Sequence, residues 1–358
     1  MADEDDPAVN RAIQRYAQIV WDCGAHLGHA VRSPQSARAF AETDHHTRTA
    51  LLESRLLIGR GGLYQELQKS SAPQSWSKRK RVDFCRTKLE ECHDRRHANG
   101  GTAFVMEPHI KNGKGGLRDV STIFWLSMAW YGVPTARELI GTGVVDEEEF
   151  NGFVRGRDFL WRVRSGLHLL SGRENDRLRF EHQPELAQRF RYRDSEKSSA
   201  VERFLKNYFL NVRRIADLAD IFLLHFEEQI KPPPRLRRRV DIGGGMEVKR
   251  EVLNIADEKI FASDPLNVLR IFSEAQQSHR YLNSRALRIV RKNADLITAS
   301  VRGSKPANAI FLDVLRSPRN VTTALSQMHE TGVLGRFCPD FGRITGHGQF
   351  DRYHQYTV

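Results

Sequence analysis

Glu107-Pro108-His109-Ile110-Lys111-Asn112-Gly113-Lys114-Gly115-Gly116-Leu117-Arg118-Asp119, followed by the apolar run Val120 to Trp130, is the most informative segment of the chain. Glycines at 113, 115 and 116 let the backbone take φ > 0 and come close to a ligand, while Lys111, Lys114 and Arg118 set cationic donors beside the exposed amides. Polyphosphate suits that combination. Asp119, or the turn just before it, is placed to cap a helix running to Tyr131, with Gly132 and Pro134 as its stop. A basic, glycine-rich loop thus feeds the positive end of a helix, the usual geometry of an anion site. The loop is not a Walker A motif, because Lys114 is followed by Gly115 and not by a hydroxyl residue. On local pattern alone the favoured alternative is a tight strand-to-helix turn in which Arg118 and Asp119 pair with each other or with neighbours.

The segment resembles the Glu-Pro-x-x-Lys-x-Gly-Lys-Gly-Gly-Leu-Arg-Asp signature of the bifunctional uridylyltransferase/uridylyl-removing enzymes that act on the nitrogen-regulatory PII protein. Three further stretches resemble the same family. They are Trp21-Asp-x-Gly-x-x-x-Gly28-His29-x-Val-Arg32, Thr49-Ala-Leu-Leu-Glu53-Ser-Arg55-Leu-Leu, and Gly346-His-Gly-Gln349-Phe350-Asp351-x-Tyr353-His354-x-Tyr356-Thr357. The resemblance implies transfer of UMP from UTP to a tyrosine of PII, Mg2+ as cofactor, and removal of UMP by a metal-dependent HD phosphohydrolase domain. It implies a phosphate-binding role for Lys111, Lys114, Gly115, Gly116 and Arg118, with His29 and Arg32 as further contributors. In the family the paired metal carboxylates lie upstream of the position of Met1, and the HD ligands follow the position of Val358. Glu53 is a poor candidate for a third metal carboxylate. The chain is therefore expected to be a central piece of a longer protein, with neither metal site complete in it.

Composition is compatible with this. A chain of 358 residues, 40% hydrophobic and 28% charged, is long enough for two or three domains with buried cores. No stretch approaches the roughly 18 apolar residues of a membrane span, and the acidic opening Met1-Ala-Asp-Glu-Asp-Asp is unlike a signal peptide, so the expected location is the cytoplasm. Cys23, Cys85, Cys92 and Cys338 are scattered and read as reduced thiols. The net charge of +12 raises the question of nucleic acid. Its even spread argues against a specific site, and Lys231-Pro-Pro-Pro-Arg235-Leu-Arg237-Arg238-Arg239 reads first as a stiff linker with a solvated charge cluster. His93 and His97, one turn apart beside Cys92, lack further ligands, so no metal site is expected there.

Periodicity predicts a mostly α (α+β) fold. Val9, Ile13, Tyr16, Ala17 and Val20 recur at helical spacing behind Asp5 or Asp6 and Pro7. Residues 25–32 alternate as a short extended segment, in which His29 and Arg32 are read either as polar residues of an edge strand or as triphosphate contacts. Asp44 to Ile58 is helical by pattern. Phe159, Val163, Leu167 and Leu170 mark one later helix, and Val201 through Phe226 a long one. Asn175 and Asp176 read as a turn, Pro232 to Gly245 as a linker, and Met246 to Phe261 as a small hairpin. The expected division is the back of a nucleotidyltransferase domain (1–120), a helical uridylyltransferase-type domain (121–230), a linker and helical region (231–345) and the start of an HD domain (346–358). A noncatalytic basic scaffold or PII-binding module is the alternative from another functional class.

Overall fold

The computed structural model describes residues 6–59, 61–133, 135–231, 239–249 and 252–345. The stop at Pro134, the basic run Arg235 to Arg238 and the expected HD start at 346–358 lie outside the described residues. The chain divides into two compact units, residues 1–84 with 128–132, and residues 85–127 with 133–358.

The helices of the first stretch are α1 (Pro7–Asp22), α2 (Pro34–Thr43), α3 (His45–Leu52) and α4 (Gly61–Ser71), followed by α5 (Lys78–Ala98). Side-chain caps set three of the four starts: Asp6 accepts from the Ala8 amide, Ser33 from Ser36 and Asp44 from Thr47. The first unit is held by Ala37, Ala41, Leu52, Trp76 and Phe84, with the Trp76 and Phe84 rings edge to face at 5.2 Å. Arg48 is buried there, its Nε donating to Ala41 O and its Nη2 to Glu42 O, so it closes the carbonyl end of α2. Two expectations are corrected in this unit. Residues 25–33 pair with no strand among the described residues, and α3 stops at Leu52 instead of Ile58. Leu57 and Ile58 are 76% and 92% exposed, so no burial supports the last turn and a half of the sequence pattern.

Helix α6 (Leu117–Tyr131) follows the glycine loop and ends at Gly132, φ +69°. Next come α7 (Glu147–Ser171), α8 (Gln183–Arg189) and the long α9 (Ala200–Ile230). Helices α7 and α9 open on capping boxes, Asp146 with Glu149 and Ser199 with Glu202. The predicted stripe of α9, from Phe204 through Tyr208, Val212, Ile215 and Phe222 to Phe226, is buried. Gly156 lets α7 approach closely, since a Cβ there would stand 3.1 Å from Asn211 O on α9.

Strands β1 (Arg239–Gly243), β2 (Met246–Lys249) and β3 (Val252–Ile255) form an antiparallel meander, turned by glycines 243 to 245, all at positive φ. Part of the expected linker is therefore strand. After α10 (Ile260–Ser263) and α11 (Asn267–Gln277), β4 (Tyr281–Leu282) adds parallel to β3, giving the order β1-β2-β3-β4. The remaining helices are α12 (Ser284–Lys292), α13 (Ala299–Gly303), α14 (Lys305–Arg316), α15 (Val321–Glu330), α16 (Val333–Phe337) and α17 (Pro339–Ile344). They share a core built on Leu253, Phe261, Leu269, Phe272, Val290 and Val333. Helix α12 ties this core to α7 and α9: Arg291 meets Asp217, Ser284 donates to Glu228, and Arg288 and Lys292 meet Glu149 and Asp146. No helix among the described residues is long and apolar enough to cross a membrane.

Candidate functional site

The glycine loop is built from its own hydrogen bonds. Gly113 N–H donates to His109 O, Gly116 N–H to Gly113 O, Leu117 N–H to Ile110 O and Arg118 N–H to Lys111 O. Gly115 N–H donates to Asp119 Oδ2 at 2.8 Å. These amides face inward. The loop is also laced to residues 175–183: Ile110 N–H donates to Asp176 O, Leu178 N–H to Pro108 O, and Phe180 N–H to Glu107 Oε1. Asp176 is more than the turn residue expected from sequence, since it accepts from Arg164 Nε at 2.5 Å and faces His168 Nε2 at 3.0 Å.

Asp119 sits in the first turn of α6 and is 1% exposed. Its carboxylate receives Arg95 at 2.6 Å and Arg96 through both Nε and Nη2, while Arg96 Nη1 continues to Asp220 Oδ1 and Lys114 Nζ meets Asp220 Oδ2 at 2.9 Å. A chain of alternating charges, Asp119 to Arg96 to Asp220 to Lys114, thereby fastens the loop to α5 and α9. Burial disfavours the Asp119 charge, but the Arg96 and Arg95 guanidiniums hold its carboxyl below the usual range. Cys92 beside it is pushed up to about 11 by burial and by the Asp119 charge, and is an inert thiol. Asp119 is thus an ion-pair anchor, a correction to its reading as a helix cap. Arg95, Arg96, Asp217 and Asp220 were not singled out in the sequence. Asp217 and Asp220 interrupt the apolar stripe of α9 at a spacing of three, which is the signal that marks them.

The predicted phosphate residues divide into groups. Gly115 and Gly116 are packed inside the protein. Lys114 is paired with Asp220. Lys111 and Arg118 are half-buried and make no close ion pair among the described residues, Lys111 acting on Asp176 only at longer range, and the Arg118 guanidinium lies over Trp125 at 5.4 Å from the ring centroid. In the first unit His29 and Arg32 are exposed, His29 edge-on to Trp21 and Arg32 over Phe40 at 4.0 Å. Among the described residues no group of three His, Cys, Asp or Glu side chains is arranged to hold a metal ion, and Asp119, Asp217 and Asp220 are each already met by arginine or lysine. His93 meets Glu227 at 2.9 Å and His97 is exposed. The donors present do not fit the Mg2+ set implied by resemblance.

Residues 83–223 match the family model described as GlnD PII-uridylyltransferase, and residues 246–337 match the model described as uridylyltransferase GlnD third domain. The helical body and its glycine loop are those of a uridylyltransferase-type protein. The chain belongs to the family of bifunctional uridylyltransferase/uridylyl-removing enzymes. The relative named so in Azospirillum brasilense is 37% identical over 360 residues, covering 98% of this chain and 38% of the relative. The one from Nitrobacter winogradskyi is 38% identical over 351 residues, covering 95% of this chain and 38% of the relative. The chain thus spans well under half the length of these relatives. No solved structure matches it.

Proposed function

We propose that this chain forms the helical part of a protein that transfers UMP from UTP to a tyrosine of PII and removes it again, and that Lys111 and Arg118 contact nucleotide phosphate. The observation that carries the site is the contrast within the loop. Asp119, Asp220 and Asp176 each hold a close ion pair, while Lys111, which reaches Asp176 only through longer-range attraction, and Arg118 stay half-buried without an ion pair among the described residues, on a backbone fixed by its own hydrogen bonds. Rigid, pre-placed cations bind anions with little ordering cost. Lys114 and the glycines hold that backbone in place. Mg2+ would neutralise departing pyrophosphate in such a reaction; the residues described do not supply its ligands, so no step is derived through it. The location proposed is the cytoplasm.

The test replaces the matching segment of the Azospirillum brasilense relative with this chain and follows labelled UMP on PII. Transfer is expected in the chimera, and none from the purified chain alone. Lys111→Ala and Arg118→Ala should each raise KM for UTP about tenfold, the worth of one charge-assisted hydrogen bond, with an unchanged thermal midpoint. A folded but inactive chimera would return the chain to the scaffold class, and unchanged KM in both variants would make the loop purely structural.

A further inference from the structure

A cavity of about 480 Å³ opens between α9, α15 and the turn at residues 101–104. Its charged walls are largely self-compensated. Lys114 pairs with Asp220 at 2.9 Å, and Arg213 pairs with Asp217 at 3.6 Å while donating from Nη2 to His329 O at 2.7 Å. Arg291 adds a second partner to Asp217. His329 offers no charge at neutral pH, since burial, joined by the nearby Arg213, pushes its imidazole down to about 4. Glu330 is different. It lines the cavity half-buried, facing Lys114 and Arg213 as well as Asp217 and Asp220 at longer range, and its side chain makes no close hydrogen bond or ion pair among the described residues.

The cavity wall therefore carries two ion pairs and one further carboxylate, a net single negative charge, and beside them Phe104, Leu325, Leu334 and Phe341 form an apolar part edged by the hydroxyls of Thr102, Thr322 and Ser326. An unpaired, desolvated carboxylate is costly, and a bound cation removes that cost. A bare metal ion does not suit the site, because only one of its carboxylates is outside an ion pair and no group of three His, Cys, Asp or Glu side chains among the described residues is arranged to hold one. We propose that this cavity binds an organic monocation, a primary ammonium or guanidinium on an apolar body, with its head on Glu330 and its body against Phe104, Leu325 and Phe341. The aromatic walls add attraction for the same charge. This assignment is independent of the nucleotide reading, since it uses neither Lys111 nor Arg118.

Isothermal titration of the full chain with benzylamine and butylguanidinium tests it, with phenylacetate and benzyl alcohol as anionic and neutral counterparts of similar shape. Saturable one-to-one binding of both cations is expected, at least tenfold tighter than benzyl alcohol. Glu330→Gln should weaken the cations at least tenfold and leave benzyl alcohol unchanged. Should that variant fail to fold, Leu325→Trp, which fills the cavity without touching charge, should abolish cation binding. Tighter binding of phenylacetate than of benzylamine, cation binding unaltered by Glu330→Gln or by Leu325→Trp, or no binding of either cation overturns the proposal.

Discussion

Gly115 presses against Val212: a Cβ on Gly115 would lie 2.4 Å from the Val212 carbonyl oxygen and 2.7 Å from its Cγ1. The close approach that the glycines permit is thus an approach to the protein's own helix α9. Gly116 serves the loop itself, since a Cβ there would meet the carbonyl oxygens of Ile110, Gly113 and Lys111 at 2.7 to 2.9 Å.

Gly115→Ala should therefore destabilise the second unit sharply. Its φ of +75° disfavours an L side chain, and the methyl has no room against a helix backbone that cannot yield like a flexible side chain. Together these amount to about 3 kcal/mol. Gly28→Ala, in open space, is the control and should change stability by less than about 0.5 kcal/mol. Urea unfolding of the two variants measures the contrast, and equal midpoints would mean the loop does not pack on α9.

Asp119→Ala separates an ion-pair anchor from a helix cap. Loss of a cap costs about 1 kcal/mol. Loss of a buried carboxylate that holds two guanidiniums leaves those charges unmatched, and costs about 3–5 kcal/mol. The Arg96 side chain is only 9% exposed and keeps just Asp220, so the larger figure is expected. Equilibrium unfolding decides between them, and a loss near 1 kcal/mol would restore the capping account.

The apolar skeleton of α9 and the caps at Asp6, Ser33 and Asp44 were legible because each is written in neighbouring residues: a periodic stripe, or a polar residue before a helix. The fastening of the loop was not. Asp119 depends on arginines 23 and 24 residues earlier, and Arg96 on an aspartate 124 residues later, separations over which local pattern carries no information. Helix α5 hid its role for the same reason, because Lys88 and Arg96 are buried within a sequence that reads as a solvated charged face. Strand β1 was missed because glycines 243 to 245 look like linker and are instead a hairpin turn. Resemblance, carried by the motif residues themselves, reached the family where periodicity could not.

Arg48→Met probes the first unit. Arg48 stands immediately before the stretch Thr49 to Leu57 that resembles the family, and its guanidinium serves the carbonyls of Ala41 and Glu42 and approaches Asp83 at 3.7 Å. Methionine keeps the packing beside Trp76 and removes the donors, so a loss of about 2 kcal/mol is expected from the carbonyls left unmatched. Unfolding followed by tryptophan fluorescence should show it. A variant as stable as wild type would mean water replaces the guanidinium at no cost.

Asp217 gives the second unit an unusual pH response. Burial pushes its carboxyl up to about 6, against the pull of Arg291 and Arg213. A group whose pKa is higher folded than unfolded binds more protons when folded, so its stabilising contribution is complete below the unfolded value and is lost as pH rises through the folded one. For Asp217 the window runs from 3.8 to about 6, and the span corresponds to up to about 3 kcal/mol. Asp119, held low by its arginines, acts in the opposite sense as pH falls, so the total curve mixes both. Comparison with Asp217→Asn isolates the one group. Between pH 4 and 6.5 wild type should lose stability relative to the variant, so that any advantage it has at pH 4 shrinks or reverses by pH 6.5. Urea midpoints of both proteins across that range are the measurement; parallel profiles would show that Arg291 and Arg213 fully offset the burial of Asp217.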